Sequence, residues 1–379
     1  MLNFLKHLIC RLLVFVTFLN SGPLAIASEI VVDSSAAGAN QAIIDRANNG
    51  TSIVNISGNL SENGLSHNKF SQFDIDDKGV VINNSTEFGV SNLTGSTLYN
   101  NPLLTKGAAS VILNEVTGGD VSKLYGYTEI FGQKADYIFA NPQGIMCDGC
   151  GFINTDRLTM VTGSAEKSGD ELSHFNIGAG AINIGESGLD ASMVSAAELV
   201  SKFANINGSI VGKDELAIKT GDKQYDYVTG DITSDNITAS DTDITYAVDA
   251  SNFGSMYAGK IDIIASKDGF GVKSEADMYS SVAGLTITAA GDIAVKNISS
   301  ATDIDLEAAN SIEVNGAISA AGDASLNATD SIDVASGSLV ANNIDIQAAN
   351  DLDINGTIYS YGDLALTSNN ISLLESGVI

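Results

Sequence analysis

The strongest constraint on the fold is a repeat of about 20 residues that begins after residue 284. Paired apolar positions return at steps of 19 or 20 residues in one register: Leu285/Ile287, Ile304/Leu306, Ala324/Leu326, Ile344/Ile346 and Leu364/Leu366. A second register returns in the same way: Ile293/Val295, Ile312/Val314, Ile332/Val334, Leu352/Ile354 and Ile371/Leu373. A third contains Ile298, Ile318, Leu339 and Ile358. Three short alternating strands per repeat predict a solenoid in which each coil packs on the next.

The order of these strands favours a parallel β-helix over an antiparallel sandwich. Asn315-Gly316 and Asn355-Gly356 could form hairpin turns, which would suit a sandwich. Hairpins reverse the chain between neighbouring strands, however, whereas here the same patterns return in the same order at one fixed offset. With strands about 4.8 Å apart, the five coils would form a rod of roughly 20–25 Å.

Residues 28–283 are less regular but have similar chemistry. Short apolar runs at 80–82, 110–113 and 137–139 are separated by clusters of Gly, Asn, Ser and Asp, which predicts β-structure throughout. Only the segment 195–203 looks helical, and it is short. Because a solenoid needs a cap at its N-terminal end, this less repetitive region is the candidate for that cap.

The first 27 residues have the pattern of a secretory signal. Lys6, His7 and Arg11 lie before an apolar run at 12–19, and Ala25-Ile26-Ala27 forms a cleavage site of the A-x-A type. A transmembrane anchor would need about 20 continuous apolar residues. We therefore expect cleavage after Ala27 and export of the remaining chain.

Charge and composition exclude several functions. The sequence has 18 Lys and Arg against 46 Asp and Glu, a formal net charge of −28, which argues against binding to nucleic acid through phosphate attraction. Only three histidines are present, so few groups titrate near neutral pH or stabilise an oxyanion. No His-Glu-x-x-His or Gly-x-Ser-x-Gly motif occurs. We expect neither an enzyme nor a cofactor.

After signal cleavage the chain keeps two cysteines, Cys147 and Cys150, in Cys-Asp-Gly-Cys. In an oxidising compartment this spacing favours a short-loop disulfide. A redox motif of the thioredoxin type would need a βαβ setting, which the surrounding sequence lacks. A zinc site would need two more ligands, which His67 and His174 could supply only by coincidence.

Two Asn-Pro pairs predict turns. After the signal segment the chain has only two prolines, and each follows an asparagine, in Asn101-Pro102 and in Asn141-Pro142-Gln143-Gly144. Proline fixes φ and asparagine bonds readily to its own backbone, so each pair is a strong turn initiator. On the residues alone, these are β-turns at coil corners.

Two other patterns indicate no ligand. Segment 254–260 matches most of a phosphate-binding loop, but Ile261 stands where Ser or Thr should bind magnesium, and a strand follows where a helix should begin. Acidic clusters at 241–243 and 351–353 lack the Gly-Gly-x-Gly-x-Asp signature of calcium-binding β-helices. An incidental turn and solvated carboxylates are the preferred interpretations.

Several segments, in a fixed order, carry a resemblance to a known family: 64–70, 79–84, 109–116, 126–127, 132–136, 140–145, 147–155 and 256–261. They closely resemble the secretion domain of two-partner secretion exoproteins, the filamentous-haemagglutinin, haemolysin and contact-dependent-inhibition class. The similarity covers roughly residues 30–275. It implies an all-β fold, a right-handed parallel β-helix with an N-terminal cap and extra-helical β elements.

The resemblance also implies a partner and a site. In that family a dedicated outer-membrane barrel with POTRA domains recognises the exoprotein in the periplasm and exports it, and two Asn-Pro turns are hallmarks. Carried over, the turn residues are Asn101, Pro102, Asn141, Pro142, Gln143 and Gly144. Leu103 and Gln143 stand where the family commonly has Asn. The pair Cys147 and Cys150 recurs in a subset of the family, consistent with a disulfide.

The leading hypothesis is therefore an exported adhesin or toxin-delivery exoprotein whose surface ligand is unknown. We divide the chain into a signal peptide (1–27), a secretion domain (28–275) and β-helix repeats (276–379). Because the chain stops at Ile379 in mid-repeat, we expect a fragment or truncated form of a longer protein. The alternatives are a β-helix enzyme that degrades polysaccharides and a free-standing adhesin without a transporter.

Overall fold

In the computed structural model, which describes residues 29–235, 245–373 and 377–378, the chain forms a parallel β-helix of about 12 turns. Three ladders of strands run along it and enclose one apolar core. The predicted all-β fold class is confirmed. Within the described residues the helical structure is confined to a single 3-10 turn, Gly38–Asn40.

The first ladder contains 13 strands, of which all but the first pair in parallel. They are Glu29–Val32, Leu65–Asp74, Val111–Val116, Ala135–Ala140, Thr155–Val161, Ala196–Ser201, Glu215–Thr220, Lys260–Ala265, Leu285–Ala289, Ile304–Ala308, Ala324–Ala328, Ile344–Ala348 and Leu364–Thr367.

The second and third ladders form the other two faces and join in two long strands, Gly271–Ser280 and Ile293–Ser300. The second also contains Ser122–Leu124, Ile145–Cys147, Ala181–Ile184, Phe203–Ile206, Tyr246–Ala250, Ile312–Val314, Ile332–Val334, Asp351–Ile354 and Asn370–Leu373. The third also contains Ile43–Arg46, Ser52–Asn55, Val80–Asn84, Tyr127–Gly132, Cys150–Ile153, Leu189–Ala191, Ile210–Gly212, Met256–Ala258, Ile318–Ala320, Ser338–Ala341 and Thr357–Ser360.

The register of the repeats agrees residue by residue with the apolar pattern of the sequence. Leu285 pairs with Ile304, and the ladder continues through Ala324, Ile344 and Leu364. The second and third apolar registers form the other two faces in the same way. In Ile304–Ala308 and Ala324–Ala328 the inward side chains are buried and the outward ones exposed or half-exposed, because one side of each strand faces the core and the other faces water.

Antiparallel strands cap the N-terminal end. Glu29–Val32 pairs with Leu65–Asp74, and Ile43–Arg46 pairs with Ser52–Asn55, so the chain reverses here instead of continuing the coil. Below them Phe73 makes edge-to-face contacts with Phe70 (4.8 Å between ring centroids) and Phe139 (5.3 Å).

Two small antiparallel sheets lie outside the β-helix. One is the hairpin of Gly89–Val90 and Thr97–Leu98. The other contains Gly163–Ser168, Glu171–Ile177, Gln224–Asp226 and Ile232–Thr233, and we call it the covering sheet. It packs on the outer side of the first ladder and closes a second apolar core, with Phe175 and Tyr225 from the sheet against Val161 and Val200 from the ladder.

The short helix expected at 195–203 is wrong, because Ala196–Ser201 is a strand of the first ladder. Its alanines and Glu198 suit a helix, but the strand lies between the main core and the covering sheet, and residues 197–201 are all buried. Burial on both sides removes the alternation by which a strand is recognised, and tertiary packing overrides helix propensity.

The structure leaves two of the predictions untested. The signal segment 1–27 lies outside the described residues, and the boundary at residue 275 stays a prediction. Across the described ranges, no helix has the length and apolar character needed to span a membrane.

Candidate functional site

The first Asn-Pro turn is held by the side chain of Asn101. The side-chain carbonyl accepts the N–H of Leu103 (2.9 Å), and the side-chain amide donates to the carbonyls of Ile56 (2.9 Å) and Asn83 (3.0 Å). Asn101 is 1% exposed, whereas Pro102 faces solvent. The asparagine therefore ties its turn to two other segments of the cap, and the proline forms the accessible surface.

The second turn has the same design. The Asn141 side-chain carbonyl accepts the N–H of Gln143 (2.9 Å), and its amide donates to the carbonyl of Asp120 (3.0 Å) and the hydroxyl of Ser122 (2.9 Å). Asn141 is fully buried, and Gln143 is exposed. Each asparagine side chain thus satisfies buried backbone groups, which is costly to lose.

The next coil covers the second turn. The N–H of Gly180 donates to the carbonyl of Pro142 (3.1 Å), and Gly144 donates to the carbonyl of Asn141 (3.1 Å) to close the turn. Gly144 has φ +127°, a conformation that favours glycine, which explains the residue type at this position.

The six predicted turn residues lie in two separate turns, in different coils. At the two positions where the family commonly has Asn, Leu103 and Gln143 contribute their backbone N–H groups to the asparagine hydrogen bonds. Their side chains play no part in those bonds, so the departures from the family pattern leave the turn geometry intact.

Cys147 and Cys150 are joined by a disulfide, with Cα atoms 5.4 Å apart. Both cysteines are buried. Cys147 ends a strand of the second ladder and Cys150 begins a strand of the third, so the bond fixes the corner between these two faces. The histidines lie elsewhere: His67 contacts Glu115, and His174 contacts Ser173 and Gln224.

The ligand-like patterns of the sequence have ordinary roles. Segment 254–260 is a turn followed by Lys260–Ala265, the predicted strand, and Lys260 pairs with Glu215 (3.0 Å). Asp351 accepts a hydrogen bond from Asn370 (2.8 Å). The acidic cluster 241–243 lies outside the described residues. Within the described parts of the chain no group of three or more His, Cys, Asp or Glu is arranged to hold a metal ion.

A buried ionic network, which no sequence motif predicts, lies under the covering sheet. Its centre is Glu198, which pairs with Arg157 and with Lys219 (3.1 Å) and accepts the hydroxyl of Tyr225 (2.9 Å). Lys219 also donates to the carbonyl of Gly230 (2.8 Å). Burial opposes ionisation, but the two cations outweigh it and hold the pKa of Glu198 below its usual value. The only sequence signal was a glutamate within an otherwise apolar run.

A second buried carboxylate fastens the other end of the covering sheet. Glu115 contacts His67 (2.7 Å) and Lys69 (3.3 Å), and it accepts the N–H of Ala165 from the sheet (3.0 Å). Burial again opposes the charge, and these partners overcome it and lower the pKa of Glu115. Both networks position the sheet on the β-helix.

The part of the chain that matches known proteins contains both Asn-Pro turns and the disulfide. The model of the family described as "TPS secretion domain" matches residues 28–295. Among solved structures, the crystal structure of the filamentous hemagglutinin secretion domain superposes with a TM-score of 0.66 and 28% sequence identity, covering 78% of this chain and 96% of that one.

Curated relatives are much longer proteins. "Toxin CdiA" of Yersinia pestis is 38% identical over 298 residues, which is 78% of this chain and 9% of that protein. "tRNA nuclease CdiA" of Escherichia coli strain NC101 is 34% identical over 304 residues, 79% of this chain and 9% of that protein. The chain therefore spans about a tenth of the length of these relatives.

Proposed function

The chain belongs to the TPS secretion domain family, and from this premise we propose that it is the secretion domain and first rod segment of an exoprotein exported through the periplasm by a cognate outer-membrane barrel with POTRA domains. The observation that carries the proposal is the pair of Asn-Pro turns, each built around a buried asparagine within a family-matched β-helix.

The β-helix suits export without a nucleotide. Each coil pairs in parallel with the one before it, so a chain emerging from a pore can fold one coil at a time on a template already outside. We propose that this sequential folding biases outward movement. Export at an unchanged rate by a chain whose repeats cannot fold, such as Leu306→Asp with Leu326→Asp, would contradict this idea.

The activity of the whole exoprotein does not follow from the route by which it is exported. Relatives named as a toxin or a nuclease are about ten times longer than the matching region. We propose that the present region is not itself an enzyme and that it delivers either an adhesin rod or a toxin, with a ligand on a host or neighbouring cell. Its strong negative charge argues against nucleic acid as the ligand of this region.

One observation favours the enzyme alternative. A groove of about 260 Å³ on the second ladder places Lys273, Lys296, Glu275 and Glu313 on one face, the mixture of acid and base that a polysaccharide-degrading β-helix would use. Lys273 is already paired with Glu275, which weakens the hypothesis of an enzyme. Turnover of a uronic-acid polymer by the purified chain would revive it.

The deciding experiment measures release of the chain into the medium with and without its cognate transporter. We expect release only with the transporter. Asn141→Ala should abolish it, whereas Gln143→Ala, in the same turn but exposed, should have little effect. Because Asn141 is buried, thermal unfolding of both purified variants distinguishes lost recognition from lost folding. Release without the transporter would instead support a free-standing adhesin, and retention in the periplasm with it would contradict the proposal.

A further inference from the structure

One column of side chains runs along the outside of the third ladder. Because the strands pair in parallel, its members lie one above another in successive coils. They are Tyr127, Gly151, Asp190, Val211, Tyr257, Tyr279, Ser299, Ser319, Val340 and Tyr359. We call the part from Val211 to Tyr359 the tyrosine stripe.

The tyrosine stripe is uncharged, although the chain has 46 Asp and Glu against 18 Lys and Arg. The outward columns of the other two faces are acidic. On the second ladder the column contains Asp249, Lys273, Ala294, Glu313, Asp333 and Asp353. On the first it contains Asp262, Thr286, Asp305, Ser325 and Asp345. The one charged residue of the third-ladder column, Asp190, precedes the stripe and accepts the hydroxyl of Tyr127 (2.7 Å).

Two groups of exposed tyrosine rings lie on or beside the stripe, towards its two ends. Tyr257 and Tyr279 are neighbours in adjacent coils and are 39% and 43% exposed. Tyr359 is 53% exposed, and its ring makes an edge-to-face contact with that of Tyr361 (4.9 Å between centroids). Tyrosine presents a flat apolar ring with a polar tip. Clustered apolar surface that stays in water in this way often marks a binding site.

The surface between the two tyrosine groups is mostly small and polar. Ser299 and Ser319 hold the stripe positions there and leave room for a ligand that lies along the rod. Asp277 and Asn297 face outward two residues before Tyr279 and Ser299, and they are hydrogen-bonded to each other (2.8 Å). Carboxylate and amide groups beside an aromatic ring can bond to the hydroxyl groups of a ligand.

The dimensions of the stripe favour a thin, extended ligand over a protein. Six steps between coils separate Val211 from Tyr359. At about 4.8 Å per step and a width of about 7 Å, the stripe has an area of roughly 200 Å². A stable protein interface takes about 800 Å² from each partner. A second copy could reach that area only by including the neighbouring faces, whose acidic columns would repel each other.

We propose that the tyrosine stripe binds an uncharged, extended β-linked polysaccharide along the axis of the rod, with sugar rings stacked on Tyr257, Tyr279 and Tyr359. The apolar faces of a sugar ring match the tyrosine rings, and its hydroxyl groups match the polar edge of the stripe. The stripe contains no Lys or Arg, which disfavours an anionic polymer.

The coil spacing is close to the length of one sugar unit in an extended β-1,4-linked chain. Several sugars can therefore meet successive coils at once. The proposal goes beyond the proposed function, because it concerns the folded rod and requires neither a transporter nor catalysis.

The test measures binding of the purified, folded chain to uncharged β-1,4-linked oligosaccharides of glucose, mannose and galactose by titration calorimetry. We expect the affinity to rise with oligosaccharide length until one ligand reaches from Tyr279 to Tyr359 and engages both tyrosine groups. Tyr257→Ser with Tyr279→Ser introduces the residue that the stripe already holds at Ser299 and Ser319. This double variant should weaken binding of the longest ligand by about tenfold or more.

Two further variants show whether the loss is local. Tyr359→Ser with Tyr361→Ser should remove the dependence on length and leave the binding of short oligosaccharides unchanged. Tyr99→Ser, which changes a tyrosine that is 81% exposed outside the stripe, should bind as the wild type does. Thermal unfolding of each variant checks that the substitutions leave the fold intact, as expected for exposed rings.

Unchanged binding by the variant at Tyr257 and Tyr279 would overturn the proposal, and so would a folded wild-type chain that binds none of the three oligosaccharide series. Preferential binding of polygalacturonate, an anionic polymer, would also overturn it. Self-association that the same variant abolishes, without oligosaccharide binding, would overturn it and assign the stripe to a second copy. Release into the medium is measured separately, so each of these failures leaves the proposed function standing.

Discussion

The same ladder of strands is built in two ways at the two ends of the molecule. In the repeats, Ile304–Ala308 alternates strictly between buried and exposed positions, whereas in the family-matched region residues 197–201 are all buried. The difference is the covering sheet, which packs on the outer side of the ladder near the cap and not along the repeats. A covered face gains a second apolar core, but every polar group that it buries then needs a partner.

The register of the first ladder allows this comparison at matched positions. Val161 pairs with Val200, and the same outward column continues to Glu307 and Asn327 in the repeats. The neighbouring outward column contains Glu198 and, further along, Asp305. A substitution that disturbs the backbone should affect stability equally at both ends of the ladder. A substitution of an outward side chain should affect it strongly only where the covering sheet buries that side chain.

The largest contrast is expected from an added carboxylate in the first of these columns. Val161→Asp buries an unpaired charge under the covering sheet and should lower the free energy of unfolding by about 3–5 kcal/mol. Asn327→Asp, at an exposed position in the same column, should change it by less than about 0.5 kcal/mol. Urea unfolding of both variants measures the difference, and equal effects would mean that the covering sheet does not exclude water.

Removal of a buried carboxylate should have the next largest effect. Glu198→Ala leaves Arg157 and Lys219 without their shared partner, for an expected loss of about 3 kcal/mol. The matched change in the same column of the repeats, Asp305→Ala, should have an effect within about 0.5 kcal/mol. Thermal unfolding followed by circular dichroism tests this pair, and a loss below 1 kcal/mol for Glu198→Ala would show that the network is solvated.

Acid should weaken the two ends differently. The pKa values of Glu115 and Glu198 are lowered from 4.5, so their contribution to stability is complete above that pH and is lost as the pH falls below it. In the repeats, burial and the neighbouring Asp353 and Glu313 raise the pKa of Asp333, so protonation there relieves repulsion. Amide hydrogen exchange, corrected for intrinsic rates, should show that Gln224–Asp226 loses protection before Ile332–Val334. The opposite order would contradict this prediction.

The smallest expected effect is in the turns of the repeats. Asn343 accepts the N–H of Asp363 from the next coil (2.9 Å) and donates to Asp323 of the preceding one (2.9 Å), close to solvent. Asn343→Ala should therefore cost only about 0.5–1 kcal/mol, far less than Asn101→Ala, whose side chain bonds groups in the buried cap. Comparable losses would mean that the ladder of turn residues stabilises the rod as strongly as the cap asparagines do.

The sequence determined the repeats to the residue because their strands keep one exposed side and a constant step. Nearer the cap, the first ladder steps from Leu65 to Val111 and from Leu158 to Ala197, since the outer hairpin and part of the covering sheet are inserted there. These insertions hide the period, and burial on both sides hides the alternation that would have identified Ala196–Ser201 as a strand.

The site was predictable only in part. The Asn-Pro pairs predicted turns, because that chemistry is local. The burial of Asn101 depends on Ile56 and Asn83, which lie 45 and 18 residues away. In the same way Glu198 meets Arg157 across 41 residues. Pairing over such distances follows from the coil register, which the sequence did not reveal in this half of the chain.

The spacing of the two cysteines also bears on how a chain passes through a narrow channel. The disulfide closes a loop between residues only three positions apart. A ring this small is hardly wider than a bulky side chain, so an oxidised chain keeps almost the cross-section of a single extended strand. A bond between distant coils would instead force two strands to pass side by side. On the proposed route of export, the short loop would allow oxidation to precede threading without adding an obstacle to it.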